Sequence, residues 1–544
     1  MYAPITRLGR AQRQVAYPYN VPAPTGGLNA RDAYTDMDEK DAVGLTNVFP
    51  EANYVAVRKG FAPSTTGLNS KVNTLLVWNG LTGRDKLFGA AGASIWDANN
   101  DAATAVVSGL SSSKWQWTNL ENAGGMFLVA VNGVDQPLNY DGTTWTRPTI
   151  TGVNPATFVN VCQFKERLWF AQINSLNLWY LGTQAIQGAA QPFPLGSVFR
   201  RGGYIIALGS FSQDAGEGPD DYFVIATNNG EVAVYQGTDP TSATTWSLVG
   251  IFNIGKPIGR RCMARLSGDL AIVTQDGIES MQAALQFDRS AAQKATITGK
   301  IQTLFSQYSR LYFNNFGWQP QVYPRSRYLI VNVPQLTGNT QIQLVMNTVT
   351  GSWCQFTNMD ANCWATANDL LYFGGNYGTV YQADNGNLDQ VTGPLTFLND
   401  AGGPIRWTND AGGPITFTAD SFGAIAWEYQ TSWQAWGGKR NKQFTATRPV
   451  MLTGGGVTFA IGVDVDFVVN DPLGALSTPT LSGAVWPMTW PFTWGGGVSL
   501  NSRWQSAGAI GTYASIHVKG LVNGTPCQVN SHDLVAQKAT GTVF

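Results

Sequence analysis

The sequence predicts an all-β chain, a β-propeller of six or seven blades with an extended N-terminal arm and an additional C-terminal β-rich region. Three observations carry that prediction. Pairs of short apolar strands recur from about residue 70 to 395, each pair closing on an aromatic residue. Asn132-Gly133, Asn229-Gly230 and Asp276-Gly277 stand between paired strands, where two-residue hairpin turns need positive φ. The composition is rich in turn and strand formers, with 61 Gly, 26 Pro and 12% aromatic residues. Such a profile excludes coiled coils and helical bundles.

In chain order, residues 1–60 read as a polar arm. Pro22, Pro24, Gly26 and Gly27 are followed by the acidic cluster Asp36, Asp38, Glu39 and Asp41. A segment too polar to bury itself stays mobile or orders against a partner. Residues 61–395 carry the hairpins, beginning near Leu87, Phe127, Leu168, Tyr222, Leu270, Tyr328 and Leu370, which are 40, 41, 54, 48, 58 and 42 residues apart. A turn followed by Trp145, Trp246 or Trp353 marks a further strand after several of them. Spacing of this order with about four strands per repeat is that of propeller blades, each burying its faces only against its neighbours. A set of β-sandwiches with similar hairpins is the alternative. One helix interrupts the array: Ile301, Leu304, Phe305 and Tyr308 share a face of Lys300 to Tyr308, which reads as a packing element between blades.

Residues 396–544 differ in composition. The tandem copies Asn399 to Ile405 and Asn409 to Ile415 each join a Gly-Gly-Pro turn to alternating residues, giving two short strand and turn units. In Val457 to Val469 the alternation of Val463, Val465 and Phe467 with Asp464 and Asp466 expects the carboxylates on the solvent face. Val485 to Gly497 packs three Trp among Pro and Gly, as a satellite core or a contact surface.

At 544 residues the chain has length for three or four domains of about 150 residues, or one repeat array with appendages. Charged residues are only 13%, and Lys plus Arg (34) nearly balance Asp plus Glu (35). A net charge of −1 argues against a surface built to grip phosphate backbones and makes association of copies cheap. Met1 to Asn20 lacks the apolar core of a secretory signal, and no run reaches the ~18 apolar residues of a membrane span. Synthesis and retention in the cytoplasm are expected. The five cysteines, Cys162, Cys262, Cys354, Cys363 and Cys527, form no CxxC pair and read as buried reduced thiols.

The residue types of reaction chemistry are sparse. His517 alternates with Ser515 and Lys519 and is expected to face outward, and His532 beside Ser531 and Asp533 cannot form a triad with strand neighbours. Ile254-Gly255-Lys256-Pro257 lacks the rest of a P-loop. Asp97, Asn99 and Asp101 lack the glycine and glutamate of a calcium loop and read as a hairpin turn. Asp464 and Asp466 lack a third ligand. The expectation is no catalytic residue, no metal and no cofactor. The basic pairs Arg58-Lys59, Arg200-Arg201, Arg260-Arg261 and Lys439-Arg440 are scattered, as salt-bridge or subunit-contact residues would be.

Val21-Pro22-Ala23-Pro24-Thr25-Gly26-Gly27-Leu28-Asn29-Ala30-Arg31-Asp32, then Asn47-Val48-Phe49-Pro50 and Arg58-Lys59-Gly60-Phe61, resemble the opening of virion proteins of short-tailed phages. There a Gly-Gly-Leu-Asn arm, an Asn-x-Phe-Pro turn and an Arg-x-Gly strand precede repeated hairpins. The whole layout resembles the tail nozzle proteins, also called tail tubular protein B. That resemblance implies a virion structural protein, not an enzyme: a homohexamer beneath the tail adaptor protein, docking tail fibres and passing weakly bound genomic DNA. It also implies that Pro24, Gly26, Gly27, Leu28, Asn29 and Arg31 contact the adaptor or a neighbouring subunit, with the C-terminal loops forming the distal tip. The competing classes are a glycan-binding or glycan-degrading propeller of the tail, to which surplus Trp would suit sugar stacking, and a bacterial cytosolic scaffold.

Overall fold

The hairpins read from the sequence are the second and third strands of successive antiparallel sheets. In the computed structural model, which describes residues 15–80, 83–214, 219–286, 296–335, 341–395, 407–408, 414–415, 417–454, 457–472, 476–477 and 499–538, Lys86–Ala91 and Ser94–Asp97 are flanked by Val72–Trp78 and Thr104–Val107. Six further sheets follow with inner strands Gln116–Asn122, Phe158–Phe164, Ile205–Asp214, Met263–Leu266, Gln319–Tyr323 and Cys363–Ala367. The Trp-led outer strands are present as Trp145–Thr146, Trp246–Asn253 and Trp353–Phe356. Seven sheets in series are the blades of a β-propeller.

Apolar clusters join one blade to the next, as propeller packing requires. Leu76, Phe88 and Ile95 of the first blade pack with Trp115, Leu128 and Tyr140 of the second. Val129 and Val131 meet Phe158, Leu168 and Phe170 of the third, and Trp169 meets Phe223, Tyr235 and Trp246 of the fourth. The ring returns on itself where Cys363, Ala365 and Val380 of the seventh blade pack with Val72, Leu75 and Leu87 of the first.

Closure uses a strand from the start of the unit. Phe61–Thr65 pairs antiparallel with Val380–Ala383 as the fourth strand of the seventh blade. Just before it, the Arg58 guanidinium holds Asp389 through two bonds of 2.8 and 2.6 Å and donates to the Thr357 carbonyl at 3.0 Å. Its side chain is fully buried and that of Asp389 is 7% exposed. Gly60 lies so close to the backbone that a Cβ there would sit 1.8 Å from the Leu388 carbonyl oxygen. The Arg-x-Gly motif is thus the clasp of the ring.

Two local expectations are corrected. None of the three Asn-Gly or Asp-Gly pairs forms a two-residue hairpin turn: around Asn132-Gly133 the strands end at Val131 and resume at Leu138, three residues separate Thr227 from Glu231, and Gly277 already pairs with Thr274 in its strand. The Asn132 side chain accepts from the N–H groups of Val134 (3.0 Å) and Asp135 (2.8 Å), a local bond that competes with the ladder. The helix spans Gln302–Tyr312 after a 3-10 turn Gly299–Ile301 and so runs past Tyr308. Buried Ser309 extends it by donating to the Gln275 carbonyl at 3.0 Å.

Contacts divide the chain at 57/58 and 425/426, not at 60 and 395: residues 58–425 form one unit, and residues 1–57 with 426–544 form another. The described residues of the second unit form two sheets. In one, Cys527–Lys538 lies between Ala16–Pro22 and Lys442–Thr453. In the other, Ala514–Val522 lies between Ile425–Thr431 and Thr458–Val465. Described residues of the arm therefore order against the C-terminal strands of their own chain. Of the tandem repeat, Trp407–Thr408 pairs with Pro414–Ile415; the rest of the two copies and the Trp-rich segment 485–497 lie outside the described residues.

The clasp makes a stability prediction. Arg58→Met strands a buried carboxylate and Asp389→Leu strands a buried guanidinium, each costing about 3–5 kcal/mol, whereas the double variant costs less than either single one. Denaturant midpoints of the three variants and the parent test this.

Candidate functional site

The arm residues assigned to partner contact are mostly internal. A turn from Pro24 brings the Gly27 N–H to the Pro24 carbonyl at 3.2 Å, with Gly27 at φ 79°. Gly27–Leu28 then pairs in parallel with Asp41–Ala42. At Gly26 a Cβ would lie 2.4 Å from a carboxylate oxygen of Asp41, so the glycine pair lets the chain approach that carboxylate. Buried Asn29 donates through Nδ2 to Asp41 at 2.7 Å and Asp32 at 2.8 Å, and its Oδ1 accepts from the N–H groups of Arg31 and Asp32. Pro24, Gly27, Leu28 and Asn29 are buried, Gly26 is half-buried, and Arg31 is exposed and paired with Asp32 at 2.7 Å.

Both histidines are buried, which corrects the outward placement of His517. Residues 514–518 of its strand are all buried, and since successive residues point to opposite faces, both faces are covered there. Nε2 lies 2.7 Å from Glu428, and Nδ1 lies 3.0 Å from the Asn470 carbonyl and 3.4 Å from Asp464. Asp464 is likewise buried and not on a solvent face, accepting from Gln430 Nε2 and the Asn470 N–H at 3.0 Å each. Asp466 ends the strand in a positive-φ turn at 49° and accepts from the N–H groups of Thr512 and Tyr513. Burial opposes the charged form of His517, but the bonds from Asp464 and Glu428 outweigh it and raise its pKa. His532, fully buried with Nε2 2.7 Å from the Tyr429 hydroxyl, is pushed down to about 4 by burial. Sequence neighbours could not reveal these partners, which come from other strands.

In the propeller, the inner strands of all seven blades line a cavity of about 470 Å³ that includes Trp115, Gln116, Arg260, Arg261 and Arg265. Gln116 and Arg260 also line an adjoining cavity of about 550 Å³ with Lys114, Lys256 and Phe316. Arg261 donates to the Asn73 carbonyl, Thr74 Oγ1 and the Trp115 carbonyl at 3.0, 2.6 and 3.1 Å. Its guanidinium lies over Phe316 at 4.9 Å, and Lys114 Nζ lies over the same ring at 4.6 Å. Burial lowers the Arg261 pKa to about 10, so it remains cationic at neutral pH. Arg265 donates to the Ser210 carbonyl at 2.8 Å. The described linings thus hold five cations and no carboxylate. Of these the sequence singled out the Arg260-Arg261 pair and, as part of an incomplete P-loop, Lys256; nothing in it placed Lys114, Gln116 or Arg265 beside them.

The other singled-out groups are structural. The Glu231 carboxylate accepts from the N–H groups of Arg200 and Arg201. Lys439 and Arg440 are exposed in a turn. Asn99 is bound to Asp97 and to the Leu87 backbone, which fixes the expected turn. All five cysteines are free, four of them buried and Cys162 partly so; burial raises Cys262 and Cys527 to about 12. Among the described residues no helix is long and apolar enough to cross a membrane.

No family model matches this chain, and no curated protein is significantly similar to it. Solved structures of β-propellers share the fold. BBS1N in complex with ARL6DN matches 60% of this chain and 98% of its own at 11% identity and a TM-score of 0.38. YCF48 bound to D1 peptide matches 63% and 98% at 10% identity and a TM-score of 0.35. A quinonprotein alcohol dehydrogenase-like protein from Bacteroides thetaiotaomicron matches 63% and 68% at 11% identity and a TM-score of 0.31.

The two histidines predict opposite pH responses. His517, with a raised folded pKa, contributes stability that is full below its unfolded value of about 6.5 and is lost as pH rises through the folded one. His532, depressed to about 4, contributes stability that is full above about 6.5 and is lost as pH falls towards 4, on the order of 3 kcal/mol. In urea unfolding, His517→Gln is expected to cost more at about pH 6 than at about pH 9, and the cost of His532→Gln to shrink between about pH 6.5 and 4.5.

Proposed function

We propose that this chain is a structural protein of a short-tailed phage virion, a tail nozzle subunit. It acts as a homohexamer beneath the tail adaptor protein and docks tail fibres by the shape of its β units. The observation that carries the reading is that the residues of the resemblance are those the fold depends on. Gly26 to Asn29 set the ladder on Asp41–Thr46. Asn47 of the Asn-x-Phe-Pro turn adopts φ 56° and donates to the Ala426 carbonyl at 2.7 Å. Arg58 and Gly60 close the propeller. A motif series whose members each hold a junction of the fold supports descent from one architecture better than chance similarity of short strings.

A net charge of −1 per chain suits a conduit that passes DNA weakly held, since each phosphate neutralised by Lys or Arg adds counterion release and slows passage. Deleting residues 1–30 would not test the adaptor contact, because it removes the strand Ala16–Pro22 and the Gly27–Leu28 ladder from the chain's own fold. Exposed Arg31 is the better probe.

The purified chain mixed with its adaptor is expected to form a sixfold ring in negative-stain images, and Arg31→Glu to weaken that assembly while leaving the unfolding midpoint unchanged. A persistent monomer that releases reducing sugar from host capsule would instead make the protein a glycan-degrading propeller.

A further inference from the structure

We propose that the propeller channel is a binding site for a small multivalent oxyanion, held between Arg260, Gln116, Lys114 and Lys256. The two adjoining cavities, about 470 and 550 Å³, are of the size that takes a small ligand and are far too small for duplex DNA. Their described linings carry five cations and no carboxylate, in a chain whose charges otherwise balance. Arg260 and Arg261 are half-buried and Lys114 and Lys256 exposed; like charges gathered around one space repel one another, and an anion offsets that repulsion.

The cations divide by what they already hold. Arg261 is spent on two backbone carbonyls and the Thr74 hydroxyl, and Arg265 is bound to Ser210. These two supply fixed charge to the cavity wall. Arg260 lines both cavities, and burial lowers its pKa with no carboxylate to restore it. Lys114 at the second cavity rests over Phe316 with its ammonium group 4.6 Å from the ring centre.

A second, independent observation points to a ligand. Gln116 is 8% exposed, lines both cavities, and its Nε2 has no hydrogen-bond partner among the described residues. Buried amide N–H groups are almost always satisfied, and Gln116 lines the same two cavities as Arg260. Multivalent charge fits because Arg260, Lys114 and Lys256 surround one space, whereas a single carboxylate would leave most of that charge uncompensated.

The test is isothermal titration of the full chain at low salt with pyrophosphate and, separately, with citrate, alongside circular dichroism and thermal melts. One anion per chain is expected, with a thermal midpoint that rises on binding. Arg260→Glu and Gln116→Leu are expected to weaken binding about tenfold or more while keeping the parent spectrum, and Arg147→Ala, on an exposed outer loop, to leave it unchanged. Preference for pyrophosphate assigns a phosphate ester, preference for citrate a polycarboxylate, and equal binding a site that reads multivalent charge alone; all three sustain the proposal. Failure of both anions to bind, or undiminished binding by folded Arg260→Glu, would overturn it without touching the nozzle reading, which rests on the sixfold ring.

Discussion

The propeller depends on how its ring is closed, and the ion pair of Arg58 with Asp389 stands at the closure. Each blade covers its apolar faces only with its neighbours, so an open ring would leave the face formed by Val72, Leu75, Cys363 and Val380 in water. The closing strand Phe61–Thr65 comes from the opposite end of the unit, more than 300 residues before its partner Val380–Ala383. Such a long-range pairing carries the entropy of a large loop. A buried ion pair adds little net stability of its own. Its bidentate geometry does fix one register, and the close approach at Gly60 admits no other residue without moving Leu388.

The sequence revealed the middle of each blade and hid its inner edge. Phe127 to Val131, Tyr328 to Val333 and Leu370 to Phe373 are apolar runs between turn residues and stand out from their surroundings. Inner strands such as Gln319–Tyr323, with Pro320 and two glutamines, face the channel and need polar side chains there, so their hydropathy resembles that of loops. The C-terminal region misled for a related reason. Alternation predicts an outer face only where a sheet has a wet side, and around His517 residues 514–518 are buried on both faces.

The arm shows the same limit. Its polar composition suggested a segment waiting for a partner, yet Asn29 satisfies four hydrogen bonds with Asp41, Asp32 and Arg31 inside the chain. Polar residues that bind one another can be buried, and composition cannot tell which partners the fold will supply. The motifs were legible as motifs; that they are internal junctions is knowledge only the structure could add. Outward on the arm are, among others, Arg31 and the acidic residues Asp36, Asp38 and Glu39.

The ring closure is tested most directly by amide hydrogen exchange on the full chain. If Phe61–Thr65 is the clasp of the seventh blade, its amides exchange with the same slow opening as those of Val380–Ala383, and both accelerate together in denaturant. Rapid exchange of Phe61–Thr65 while Val380–Ala383 stays protected would mean that the ring does not depend on this strand, and the account of its closure would be wrong.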